Sequence, residues 1–126
     1  MIVGLATELI AVDVLRADLA RFGEDWRASR WTAAELATCL RRVDPAPGLA
    51  ARLAAKRAAR RALGLAGDEG LLEVEVVREP SGKPRLELAG PAAAAAARLG
   101  VTRQHVSLTH LDERALAVVL LEADAP

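Results

Sequence analysis

Leu49-Ala50-Ala51-Arg52-Leu53-Ala54-Ala55-Lys56-Arg57-Ala58-Ala59-Arg60-Arg61-Ala62-Leu63-Gly64 is the stretch on which the fold turns. It contains no residue that breaks a helix until Gly64, a candidate left-handed stop. At 100° per residue, Ala51, Ala54, Ala55, Ala58 and Ala62 share one side, a small-residue surface that lets a sheet or another helix approach closely. Arg52, Lys56 and Arg60 fall on another side, with Arg57 and Arg61 as a second row beside them. No acidic residue occurs between Pro45 and Gly67 to offset these charges. Guanidinium and ammonium groups at such spacing suit phosphate or another anion. An ordinary solvated face is the competing reading, and Arg60 and Arg61 also oppose the dipole in the last turn.

Upstream, Asp44-Pro-Ala-Pro-Gly48 separates this helix from a shorter one. That helix is opened by the capping box Thr32-Ala-Ala-Glu35 and is expected to run to about Arg42. Before it, Leu15, Leu19 and Phe22 recur at helical spacing from Asp13 to the stop at Gly23. Ile2, Val3, Leu5, Leu9 and Ile10 form an apolar run read as a buried first strand. Downstream, Leu72, Val74 and Val76 alternate with Glu73 and Glu75. Pro80-Ser-Gly-Lys-Pro84 then turns the chain into Leu86 and Leu88, a hairpin. Pro91 to Leu99 reads as an alanine-rich helix closed by Gly100. His105 to His110 alternates as a strand, Leu111 to Arg114 turns, and Ala115 to Leu121 is apolar enough for a central strand. There is no repeat and no linker. The expectation is one domain over residues 1–126, of α+β (α/β) class, with a small antiparallel sheet and packed helices.

The chain has 126 residues, 52% hydrophobic, and its 17 basic residues balance 17 acidic ones. Overall charge therefore gives no attraction to nucleic acid or to an acidic membrane surface, and any anion site must be local. Phe22, Trp26 and Trp31 are the only aromatic residues, too few for base-stacking platforms. No nucleic-acid partner is expected. Glu8 interrupts the first apolar run too early for a signal peptide, and no stretch is apolar enough to span a bilayer. With Cys39 the only cysteine, no internal disulfide or multi-cysteine zinc site can form. A cytoplasmic location is expected.

Glu8 ends an otherwise apolar strand, where a carboxylate needs a cation partner or a metal, or serves as a cap. His105 and His110 lie an odd number of residues apart, so on a strand they face opposite sides and cannot share one metal ion. His110, beside Thr109, suits acid–base work or a structural hydrogen bond. Lys83, at the hairpin tip, either reaches a ligand or is simply a polar turn residue.

Met1-Ile-Val-Gly-Leu-Ala-Thr-Glu8, Thr32-Ala-Ala-Glu35, Arg52-Leu-Ala-Ala-Lys56, Ser81-Gly-Lys-Pro84 and Val106-Ser-Leu-Thr-His110 together resemble, in order and spacing, the small holo-acyl-carrier-protein synthases of the 4'-phosphopantetheinyl transferase superfamily. The resemblance implies that superfamily's fold and transfer of the phosphopantetheine arm of coenzyme A to a carrier-protein serine, with magnesium. It also implies a homotrimer with sites between subunits and an acyl carrier protein as partner. Arg52, Lys56, Lys83, Ser107 and Thr109 are then the coenzyme A contacts, and Glu8, Arg57, Arg61 and His110 stand at the catalytic positions.

Some of those positions depart from the family pattern. Relatives carry aspartate where Glu8 stands and glutamate where Arg57 stands, and these carboxylates together hold magnesium. The glutamate keeps an oxygen ligand, whereas a guanidinium repels the metal. Arg61 replaces a lysine and can hardly act as a base. Ala11 replaces an acidic residue, and Val14 an arginine that docks the carrier. The first expectation is therefore a divergent member that recognises coenzyme A or a phosphopantetheinylated carrier protein in fatty-acid or polyketide assembly. In it, ordinary magnesium-dependent transfer is impaired or replaced by another activity on a carrier-bound chain, with Arg57 paired to Glu8 where the metal would sit. The second is a working holo-acyl-carrier-protein synthase in which Glu8, waters and substrate phosphates still hold magnesium.

Overall fold

In the computed structural model, which describes Met1 to Pro126, the first apolar run forms β1 (Ile2–Ala11) and passes directly into α1 (Val12–Arg21). A five-residue helix, α2 (Glu24–Ala28), follows Gly23. It is too short to show a period, and the sequence reading missed it. Trp26 stacks on Phe22 and meets Trp31 edge-on, while the guanidinium of Arg30 lies 4.4 Å from the Trp26 ring centre. The few aromatic residues are thus spent on each other.

The capping box at Thr32 and Glu35 forms as expected and opens α3 (Ala33–Cys39), which stops short of Arg42. The long helix α4 (Ala46–Ala62) starts three residues before the expected Leu49. Pro47 lies in its first turn, where a missing N–H costs nothing, and Asp44 accepts a hydrogen bond from the Ala46 amide. Leu71–Glu73 is a 3-10 turn, so Leu72 precedes the hairpin strand β2 (Val74–Arg78) instead of belonging to it. β3 (Pro84–Leu88), α5 (Gly90–Leu99), β4 (Val101–His110) and β5 (Arg114–Ala123) complete the chain.

β1, β5 and β4 form one antiparallel sheet with β5 in the middle, and β2 and β3 form a second. This is the α+β architecture expected from the sequence. Helix α4 lies across the larger sheet, and its small-residue side does what its composition allows. Ala50, Ala51, Ala54, Ala55 and Ala58 are fully buried, as are Ala115, Ala117 and Val119 of β5. The closest approach is at Gly4, where an added Cβ would lie 2.3 Å from the Ala62 carbonyl oxygen. Only glycine fits there.

Strand alternation divides the sheet into two faces. Glu8, Ala117 and Leu108 are cross-strand neighbours on the helix-covered face. Thr7, Val118 and Ser107 are neighbours on the other face, as are Leu9, Leu116 and Thr109. No element of the chain covers that outer face, and Leu5 and Leu9 are each 59% exposed on it. No helix is long and apolar enough to cross a membrane.

Candidate functional site

The row Arg52, Lys56 and Arg60 is neither a solvated face nor an open phosphate clamp within the chain, because all three side chains are buried. What the sequence stretch lacks in acid, the fold supplies from elsewhere. Lys56 Nζ meets Glu35 of α3 at 2.5 Å. Arg60 donates to the carbonyls of Ala66 and Gly67 and lies 3.7 Å from the carboxylate of Glu73. Arg57 makes a two-pronged pair with Asp68, Nε to Oδ1 at 3.1 Å and Nη2 to Oδ2 at 2.7 Å. Arg61 Nη2 stands 3.4 Å from Glu8 Oε2.

Arg52 alone of the five has no carboxylate. Its Nη1 donates to the Gly48 carbonyl one turn back, and its Nε is buried without a partner. A buried orphan donor is uncommon and marks a place where an acceptor is wanted. Arg52 also lines a cleft of about 320 Å³ with Thr38, Glu75, Arg78 and Glu87.

Glu8, Arg57 and Arg61 do come together. With Arg60, Leu65, Gly67 and Asp68 they line a cleft of about 130 Å³. Strand parity turns Glu8 toward α4, and the last two turns of the helix present the arginines. The arginine that pairs with Glu8 is Arg61 and not the expected Arg57. Asp68 was not foreseen in the sequence. It follows Gly67, whose φ of +75° only glycine adopts easily and which turns the loop back over the helix. Hydrogen bonding to Arg57 holds the Asp68 carboxyl below the usual carboxylate range, assisted by the charges of Arg57, Arg30 and Arg60 and opposed by desolvation.

The β4 residues lie elsewhere. Ser107 and Thr109 are exposed on the outer face of the edge strand farthest from β1, on the side of the sheet away from α4. His110 is exposed at the strand end and lines a separate cleft with Leu111, Asp112, Glu113 and Arg114. His105 pairs with Glu122 at 2.5 Å. Lys83 is exposed at the hairpin tip. Within one chain, none of these meets the cleft at Glu8. Cys39 is buried, and burial pushes its thiol up, as suits an inert core residue.

A long basic helix across a three-stranded antiparallel sheet, with a cleft lined by Glu8, Asp68 and three arginines at its end, defines the class as a small α+β protein. No protein-family model matches the chain. A holo-[acyl-carrier-protein] synthase of Koribacter versatilis is 36% identical over 124 residues, covering 97% of this chain and 99% of the relative. One from Clavibacter michiganensis is 42% identical over 117 residues, covering 93% and 97%. Among solved structures, the holo-[acyl-carrier-protein] synthase of Neisseria meningitidis superposes with a TM-score of 0.83 at 26% identity, covering 97% of this chain and 99% of that one. The chain belongs to the holo-[acyl-carrier-protein] synthase family.

Proposed function

We propose that this chain is a working holo-[acyl-carrier-protein] synthase that moves the 4'-phosphopantetheine arm of coenzyme A onto a serine of an acyl carrier protein. The observation that carries this reading is the likeness to proteins of that name over nearly the full length of both. It weighs against the divergent, transfer-impaired reading, which rests chiefly on Arg57. Lys56, buried on Glu35, acts through the fold by holding α4, α3 and β2 in register. The carrier would belong to fatty-acid or polyketide assembly.

Three copies of the chain would form the active unit. Two features support this: the uncovered outer face with Leu5, Leu9 and Leu116, and the distance of Ser107 and Thr109 from the Glu8 cleft. A neighbouring subunit would bring those hydroxyls to the ligand.

For magnesium, the residues present do not fit. Asp68 already accepts from Arg57, Glu8 is ion-paired with Arg61, and Arg60 lines the same cleft. A hard dication wants oxygen ligands and few neighbouring cations.

The test is intact-mass spectrometry of a purified apo acyl carrier protein after incubation with the chain and coenzyme A, with and without Mg²⁺. Serine-linked phosphopantetheine formed over many turnovers is the expected result. Binding of coenzyme A with no transfer under either condition would instead favour the divergent reading.

A further inference from the structure

We infer that the Glu8 cleft neutralises the diphosphate of coenzyme A with guanidinium groups in place of a divalent cation, and that Asp68 is the positioning residue that sets Arg57 for this. The inference rests on the transferase reading above.

The geometry has three parts. By the resemblance of the sequence motifs, Arg57 stands where the family pattern has a metal-binding carboxylate, so the charge at that position is reversed. Its Nε and Nη2 are both taken by Asp68, which fixes the plane of the guanidinium and leaves Nη1 without a partner in the chain. Arg57 is one-third exposed at this point and lines both the Glu8 cleft and the larger cleft containing Leu9, Trp26 and Arg30. Asp68 is itself held in place, because Arg60 grips the carbonyls of Ala66 and Gly67 immediately before it. Arg61, half exposed, gives the second available guanidinium, steadied by Glu8 at 3.4 Å. An arginine anchored by a carboxylate on one edge presents its other edge with little entropy left to lose, which is how fixed donors stabilise developing charge.

In the transfer step, the carrier serine oxygen bonds to the phosphorus bearing pantetheine while the bond from that phosphorus to the bridging oxygen breaks. Adenosine 3',5'-diphosphate leaves with that electron pair. The serine proton passes to the Glu8 carboxylate and on to water. The charge that grows on the leaving phosphate is met by Arg57 Nη1 and Arg61.

The decisive comparison is transfer in EDTA against transfer in Mg²⁺. Rates within about threefold of each other are expected, because fixed cations need no metal. Transfer that falls by about a hundredfold or more in EDTA overturns the inference while leaving the transferase reading intact. Transfer in neither condition removes the transferase reading. The inference is then judged by calorimetry with coenzyme A, where metal-independent binding weakened by Arg57→Gln supports it and metal-dependent binding overturns it.

Direct binding of Mn²⁺ gives a readout apart from activity. Wild type should show none, Arg57→Glu should gain it, and tight binding by wild type counts against the idea. For Asp68, Asn in its place should lower kcat in EDTA by about tenfold or more with the carrier KM unchanged, and Glu should restore part of the loss. A loss that follows thermal stability alone, with no rescue by Glu, reduces Asp68 to a structural residue.

Discussion

Lys56 Nζ lies 2.5 Å from Glu35 Oε1, and neither side chain is exposed to solvent. Glu35 also accepts from the Thr32 amide at 2.8 Å through Oε1 and from the Val76 amide at 2.9 Å through Oε2. One carboxylate therefore closes the capping box of α3, pairs with α4 and ties down an amide of β2. Burial lowers the Lys56 pKa, and the charge and hydrogen bond of Glu35 act against that shift.

Breaking such a pair leaves an uncompensated buried charge. Lys56→Met should cost about 3–5 kcal/mol by denaturant unfolding. The double variant Lys56→Met with Glu35→Gln keeps an acceptor for one of the two amides and removes the stranded charge. It should lose clearly less than the sum of the single variants. Strict additivity would show that the two side chains do not interact.

Asp68 gives stability an acid limb. Its folded carboxyl titrates below its ordinary value because of Arg57, so between the two values the unfolded chain binds more protons than the folded one. This contribution is complete above the ordinary carboxylate range and is lost as pH falls through the lowered folded value. The stability gap between wild type and Asp68→Asn should be widest near neutral pH and close on acidification. Carboxyl NMR titration checks the lowered value directly.

Gly4→Ala places a Cβ against backbone, where nothing can rotate away. We expect a loss of roughly 1–3 kcal/mol. Gly23→Ala is the control, since nothing lies within 4 Å of an added Cβ and φ is −91°, so its thermal midpoint should stay level or rise slightly.

Leu5→Glu tests the outer face. Leu5 is 59% exposed in the single chain, so a charge there costs the isolated fold little. It should convert a trimer to monomers in sedimentation velocity and abolish transfer with the circular dichroism unchanged. An unchanged sedimentation coefficient would mean that copies do not pair through this face.

Most of the elements were legible because each carries a local signature. The capping residues at Thr32 and Glu35, the alternation of β2, the proline and glycine that bracket α5, and the small-residue side of α4 all act within a few neighbours. The misses have local causes too. Pro47 looked like a breaker although a first turn tolerates it, and α2 is shorter than any period.

The site was legible only in outline. Family spacing brought Glu8, Arg57 and Arg61 to notice, and the fold gathers them in one cleft. By itself, the sequence determined that α4 is a helix with one small side and five cations and no acid along it, because propensity and periodicity depend on near neighbours. Which of those cations are exposed, and which carboxylate each one finds, only the tertiary structure decided. Glu35, Asp68, Glu73 and Glu8 arrive from four separate places in the chain, and such pairings depend on distances in space that no spacing along the sequence encodes.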